Sequence, residues 1–161
     1  MAELVKHTRR AVADRSPGDV VLVREYLVFM LSGDVYGVEL THIREILSPP
    51  PITEVPRAPS EVLGVCSVRG LLVTVVDLRR RLKLEERPAT RRARILLAEA
   101  PHGEVIGLFV DEVRQVMRLG ESTIELASAV LGGDISEHVV GISRPAGQLI
   151  ILLDLKSIVS S

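Results

Sequence analysis

Residues Gly64–Leu82 read GVCSVRGLLVTVVDLRRRL, and residues Gly141–Val159 read GISRPAGQLIILLDLKSIV. Each stretch is a β-rich run, a turn built on glycine, a second apolar run and an aspartate at its end. Gly64, Gly70 and Asp77 recur 77 residues later as Gly141, Gly147 and Asp154. A block further upstream behaves the same way: Gly37, Leu40, Ile43 and Ile46 recur 70 residues later as Gly107, Val110, Val113 and Val116. The offsets differ by seven, which puts about seven extra residues in the second half, between 120 and 137. The chain is two copies of one β unit.

Composition agrees with that reading. Of 161 residues 47% are apolar, enough for a real core, yet only Tyr26, Phe29, Tyr36 and Phe109 are aromatic. Valine, leucine and isoleucine must fill the interior, and β-branched side chains favour strands. A lone Cys66 excludes an internal disulfide, and four scattered histidines give no metal-ligand spacing, so no metal and no cofactor is expected. No stretch approaches the roughly 20 apolar residues of a membrane span, and the N-terminus has no continuous apolar run of the secretory kind. A soluble cytoplasmic protein with no membrane insertion is expected. A formal net charge of -1 argues against a globally basic nucleic-acid binder.

Along the chain, residues 1–22 are polar and broken by Ser16, Pro17 and Gly18, and they read as a flexible arm. "YLVFML" (26–31) and "VYGVEL" (35–40) flank "SGD" as a hairpin, and "RILLAEA" and "VIGLFV" form its counterpart around Pro101-His102-Gly103. "THIREIL" (41–47) reads as a short helix capped by Thr41 and stopped by Pro49, Pro50 and Pro51. Each copy has about five short strands and hardly any helix, and a set that small protects its edges by curling up. Two small barrels side by side are expected. The repeated Gly37, Gly70, Gly107, Gly141 and Gly147 suit turns or close backbone approach, and Asp77 and Asp154 suit caps.

The ordered blocks "YLVFML…YGVEL…IREI", "GVCSVRGLLVTVVDLR", "VIGLFVDEV" and "VVGISRPAGQLIILLDL" together resemble a CheW-like domain, the coupling module of bacterial chemosensory systems, over residues 25–160. It departs from the family where Ser67 stands in place of the asparagine usual two positions before the arginine, and in its proline cluster at 49–51. The resemblance implies a mainly β fold of two pseudo-repeated SH3-like five-stranded β-barrels with short helices, residues 23–160 forming one domain of two intertwined barrel subdomains. It also implies an adaptor without enzymatic activity. Such an adaptor joins the cytoplasmic tip of chemoreceptors to the regulatory domain of a CheA-type histidine kinase, beside other CheW-like domains in membrane-associated arrays.

The repeat itself singles out two charges. Glu45 and Arg69 become Gln115 and Ala146 in the second copy, so both charges vanish together and neither is needed to build the unit. The resemblance implies a receptor-coupling role for them, with Ile43 and Gly64 beside them, and Val65 and Val105 joining Ile43 along a groove for a receptor helix. Residues 78–94, "LRRRLKLEERPATRRAR", carry a local charge of +6. The alternative function is a small β-barrel nucleic-acid binder using this stretch, with steeply salt-dependent binding. It has no aromatic for stacking and lies where the copies join, which favours a solvated linker. "GVCSVRG" is no nucleophile elbow and has no partnering histidine, so catalysis is not expected.

Overall fold

The computed structural model describes residues 11–16, 19–126 and 137–160. Its strands are β1 (Ala11–Ser16), β2 (Asp19–Leu31), β3 (Asp34–Glu39), β4 (Ile43–Leu47), β5 (Val62–Val68), β6 (Leu71–Asp77), β7 (Arg94–Glu99), β8 (Val105–Val110), β9 (Glu112–Gly120), β10 (Glu125–Leu126), β11 (Val139–Ser143) and β12 (Ile150–Leu153). Two helical turns, α1 (Leu78–Arg81) and α2 (Leu155–Val159), close the repeated blocks. No helix among the described residues is long and apolar enough to cross a membrane.

The strands form two sheets, one ordered β4-β7-β8-β6-β5, the other β1-β2-β3-β12-β11-β10 with β9 on β2. Neither sheet belongs to one copy. The hairpin β2–β3 of the first copy joins β9, β11 and β12 of the second, while the hairpin β7–β8 of the second joins β4, β5 and β6 of the first. A one-copy-per-barrel arrangement is therefore not what is built: the copies exchange hairpins. The registers obey the offsets seen in the sequence, since Gly37 lies opposite Leu152 where β3 runs parallel to β12, and Gly107 lies opposite Val75 where β8 runs parallel to β6. Each sheet has the expected five strands, and the one that holds β2 and β3 gains β1 and β10 at its margins.

Burial explains why the strands lack polar alternation. In β2, Leu27 and Phe29 face a central core shared by both sheets, while Tyr26 and Val28 face a smaller core with Ile150 and Leu152. In β7, Leu96 and Ala98 enter the central core, and Ile95 and Leu97 pack with Cys66, Val73, Val75 and Phe109. Strands buried on both faces read as continuous apolar runs. Gly37 and Gly107 bring the crossing strands close: a Cβ at Gly107 would lie 2.8 Å from Ile95, and one at Gly37 3.1 Å from Leu152.

Two expectations are corrected. Thr41 to Leu47 is not a helix; Leu40–His42 is one 3-10 turn, and Ile43–Leu47 is a strand paired with β7, whose free edge outweighs any local helical preference. The arm at 1–22 is replaced over 11–16 and 19–22 by strand, β1 pairing antiparallel with β2 from Ala11 opposite Val23 to Ser16 opposite Asp19. Residues 1–10 lie outside the described residues. The seven extra residues also resolve into two places. Thr53 bridges Val65 as Glu125 pairs with Ile142, a step of 72, so two residues are added before this contact and five after it.

Candidate functional site

β5 and β6 are joined by Arg69-Gly70, both at positive φ (49° and 83°), the two-residue turn whose twist suits a hairpin. The equivalent turn in the other sheet, Ala146-Gly147, has φ of 53° and 81°. The backbone is thus repeated and the side chain is not. From this turn Arg69 reaches across to β4, donating Nη1 to Glu45 Oε2 at 3.0 Å and Nη2 to Glu45 Oε1 at 2.5 Å. β4 and β5 are the two margins of the five-stranded sheet, so the pair spans its open side. The hydrogen bonds from Arg69 hold the Glu45 carboxyl below the ordinary carboxylate range, and the same bonds raise Arg69. The arginine side chain is 68% exposed and the glutamate 28%, so a partner can reach both.

Of the other expected contacts, Val65 is half-buried on β5 and Val105 packs against the sheet's own core. Ile43 is a correction: it is fully buried in the central core and offers no surface. Gly64 has a packing role. At φ 150° in the irregular pairing of β5 with β6, it lies under the Thr53 carbonyl, 2.1 Å from where a Cβ would stand. Gly141 repeats this against the Glu125 carbonyl at 2.6 Å. Sequence reasoning missed Leu71 and Leu72, 71% and 77% exposed immediately after the turn. Leu71, Leu72 and Val73 form an unbroken apolar run, so nothing in it marks which leucines leave the core.

Asp77 caps α1 by accepting the Arg79 N–H at 3.0 Å, whereas Asp154 stands before α2 without a side-chain cap bond. The basic stretch 78–94 is engaged more than a solvated linker would be. Arg79 is buried and bonded to Asp77 and Asp111; Arg80 pairs with Glu86, Arg81 with Glu61 and Arg92 with Glu112. Charges neutralised within the protein release few counterions, and the nucleic-acid reading has no support. No group of three or more potential metal ligands occurs among the described residues.

Residues 25–161 match the family model described as the CheW-like domain. The chain is 31% identical over 132 residues to a chemotaxis protein CheW of Bacillus subtilis, covering 82% of this chain and 84% of that one. It is 29% identical to a chemotaxis protein CheW of Rhizobium meliloti, covering 86% and 88% respectively. Among solved structures, the scaffolding protein TtCheW from Thermoanaerobacter tengcongensis superposes with a TM-score of 0.76 at 29% identity, covering 83% of this chain and 90% of that one.

Proposed function

From the premise that this chain belongs to the CheW-like family of chemotaxis scaffolds, which are not enzymes, we propose that it couples the cytoplasmic tip of a chemoreceptor to the regulatory domain of a CheA-type histidine kinase. The observation that carries the receptor half of the proposal is the two-bond Glu45–Arg69 pair, present across one sheet and replaced by Gln115 and Ala146 in its pseudo-equivalent. An exposed ion pair adds only about 0–1 kcal/mol to stability. Its worth lies in orientation: it fixes a planar guanidinium beside Leu71 and Leu72, a charged and apolar surface suited to one face of a receptor helix. Val65 stands at the margin of this surface.

The kinase binds elsewhere on the protein, so both partners are held at once at a receptor array on the cytoplasmic face of the membrane, where other CheW-like domains can join. The mechanism is a coupling free energy: a receptor rearrangement that alters its contact with the scaffold biases the kinase held in the same assembly. Co-elution of the full chain with a receptor cytoplasmic fragment and with the kinase regulatory domain tests this reading. Wild type should bind both, and Arg69→Glu should lose the receptor while keeping the kinase. Receptor binding that survives Arg69→Glu would overturn the site assignment.

A further inference from the structure

β5 has β6 on one side and the bridging residue Thr53 on the other, and its backbone groups alternate between them. Val65 faces Thr53, each donating its N–H to the other's carbonyl at 2.8 Å. The two-residue turn at Arg69-Gly70 makes Val68 and Leu71 a bonded pair, and Cys66 and Val73 the next, so Val65 and Ser67 turn their N–H and C=O away from β6. The register is unbroken from Val65 to Val68, which fixes this alternation. Val65 meets Thr53; among the described residues nothing bonds the N–H or the carbonyl of Ser67.

The cause is in the sequence. Continued past Thr53, the same antiparallel pairing would set Pro51 opposite Ser67, and Pro49, Pro50 and Pro51 have no N–H to donate. The segment leaves β5 there, and Ser67 is exposed. Its open backbone pair lies between two fixed points, the Thr53 bridge and the Arg69 side chain that crosses to Glu45 on β4. The other sheet has no such pair at the equivalent Arg144, whose carbonyl accepts the Gly147 N–H at 3.2 Å.

A partner that covers the Glu45–Arg69 pair also covers Ser67, and burying the two groups unpaired would cost free energy. The partner must therefore present one acceptor and one donor side by side. A helix backbone does not, because its groups are bonded within the helix. Lysine and arginine only donate, and ionised aspartate and glutamate only accept. A hydroxyl holds both functions on one oxygen, whereas a carboxamide carries them on two atoms of one planar group. The neighbouring ion pair is neutral as a whole, which favours a neutral group here over a charge left without a counterpart.

We propose that the receptor helix sets an asparagine or glutamine side chain on Ser67, its oxygen accepting the Ser67 N–H and its nitrogen donating to the Ser67 carbonyl. This rests on the receptor reading given above and adds to it a determinant of specificity: the accepted helix carries a carboxamide beside its contact with Arg69.

The test is amide hydrogen exchange of the full chain, read residue by residue by NMR, with the receptor cytoplasmic fragment as probe. In the free chain the Ser67 amide should exchange as fast as those of open turns, while Val65, Cys66 and Val68 are protected. Saturation with the fragment should slow Ser67 at least about tenfold. Among single changes of the fragment's exposed asparagines and glutamines to leucine, one should restore fast exchange at Ser67 and weaken binding about tenfold. Ser67→Ala keeps both backbone groups and should bind the fragment as wild type does. A Ser67 amide protected in the free chain, a bound fragment that leaves its exchange unchanged, protection that survives every single change, or loss of binding in Ser67→Ala would each overturn the proposal and leave the Glu45–Arg69 assignment standing. A fragment that fails to bind the wild-type chain would overturn both.

Discussion

Arg69 adopts a left-handed backbone conformation that costs a side-chain-bearing residue free energy, and the turn tolerates alanine at the equivalent position. The turn's backbone therefore does not require an arginine at 69. If orientation is the role, the charges are exchangeable only as a pair: Glu45→Arg with Arg69→Glu should restore part of the receptor binding that either change alone removes, while both singles melt close to wild type. The pH dependence has a definite sign. A carboxylate held below its ordinary value by its partner contributes stability above the unfolded value of about 4.5, which is lost only as pH falls through the lower folded value. The Glu45–Arg69 pair should thus persist unchanged from pH 7 to pH 5 and break below pH 4.5, read from the Glu45 side-chain carbon shift in an NMR titration. Gly64→Ala tests a different residue property. Its Cβ would collide with the Thr53 carbonyl at a φ that L residues rarely adopt, and a loss on the order of 3 kcal/mol is expected in chemical denaturation.

Among the elements, α1 is more than a chain-ending turn. The Asp77 carboxylate is fully buried and accepts from Arg79 N, Nε and Nη2 at 3.0, 3.2 and 3.2 Å. Arg79 continues to Asp111 at 3.3 Å, and Asp111, between β8 and β9, accepts from the Ser32 N–H at 2.7 Å. One chain of charges, buried at Asp77 and Arg79 and half-buried at Asp111, ties the turn of β2–β3 in one sheet to the end of β6 in the other. Removing one partner leaves the other buried without compensation, so Arg79→Met should cost roughly 3–5 kcal/mol, whereas Asp77→Leu combined with Arg79→Met should recover much of it. Equal losses in the single and double variants would show that the capping bond rather than the ion pair matters. α2 has Lys156 at the corresponding place, exposed, and Asp154 makes no cap bond. The sequence pattern DL-R against DL-K looked like a repeated cap; the contact of Arg79 with the Arg87 carbonyl and with Asp111, where the other copy has Thr41, makes the two turns different.

At the scale of the whole molecule, the offsets of 70 and 77 were legible because glycines forced by close approach must recur wherever the same crossing recurs. The Glu45–Arg69 pair was legible as a difference between copies. Which copy's hairpin enters which sheet was not, because β2 and β7 are nearly interchangeable apolar strands and either exchange or self-closure satisfies the same local pattern. The strand at 43–47 was misread for a related reason: its short amphipathic pattern acquires a β register only from β7, about fifty residues away in the chain. Exchange has a consequence that self-closure lacks. If the chain is divided within the exposed segment between Pro88 and Ala89, the fragment 1–88 holds β2–β3 without β9, β11 and β12, and it holds β4, β5 and β6 without the hairpin that separates β4 from β6. Fragment 89–161 is incomplete in the complementary way. Neither can bury the central core, to which Phe29 and Leu40 come from one fragment and Leu96 and Leu108 from the other. Each fragment alone should show no cooperative unfolding and little protection of its amides, and an equimolar mixture should regain both, with a melting temperature that rises with concentration. Independent cooperative folding of either fragment would mean that each copy closes on itself after all, and the proposed receptor surface, which needs β4 held at the sheet margin by β7, would then have to be rebuilt from a single copy.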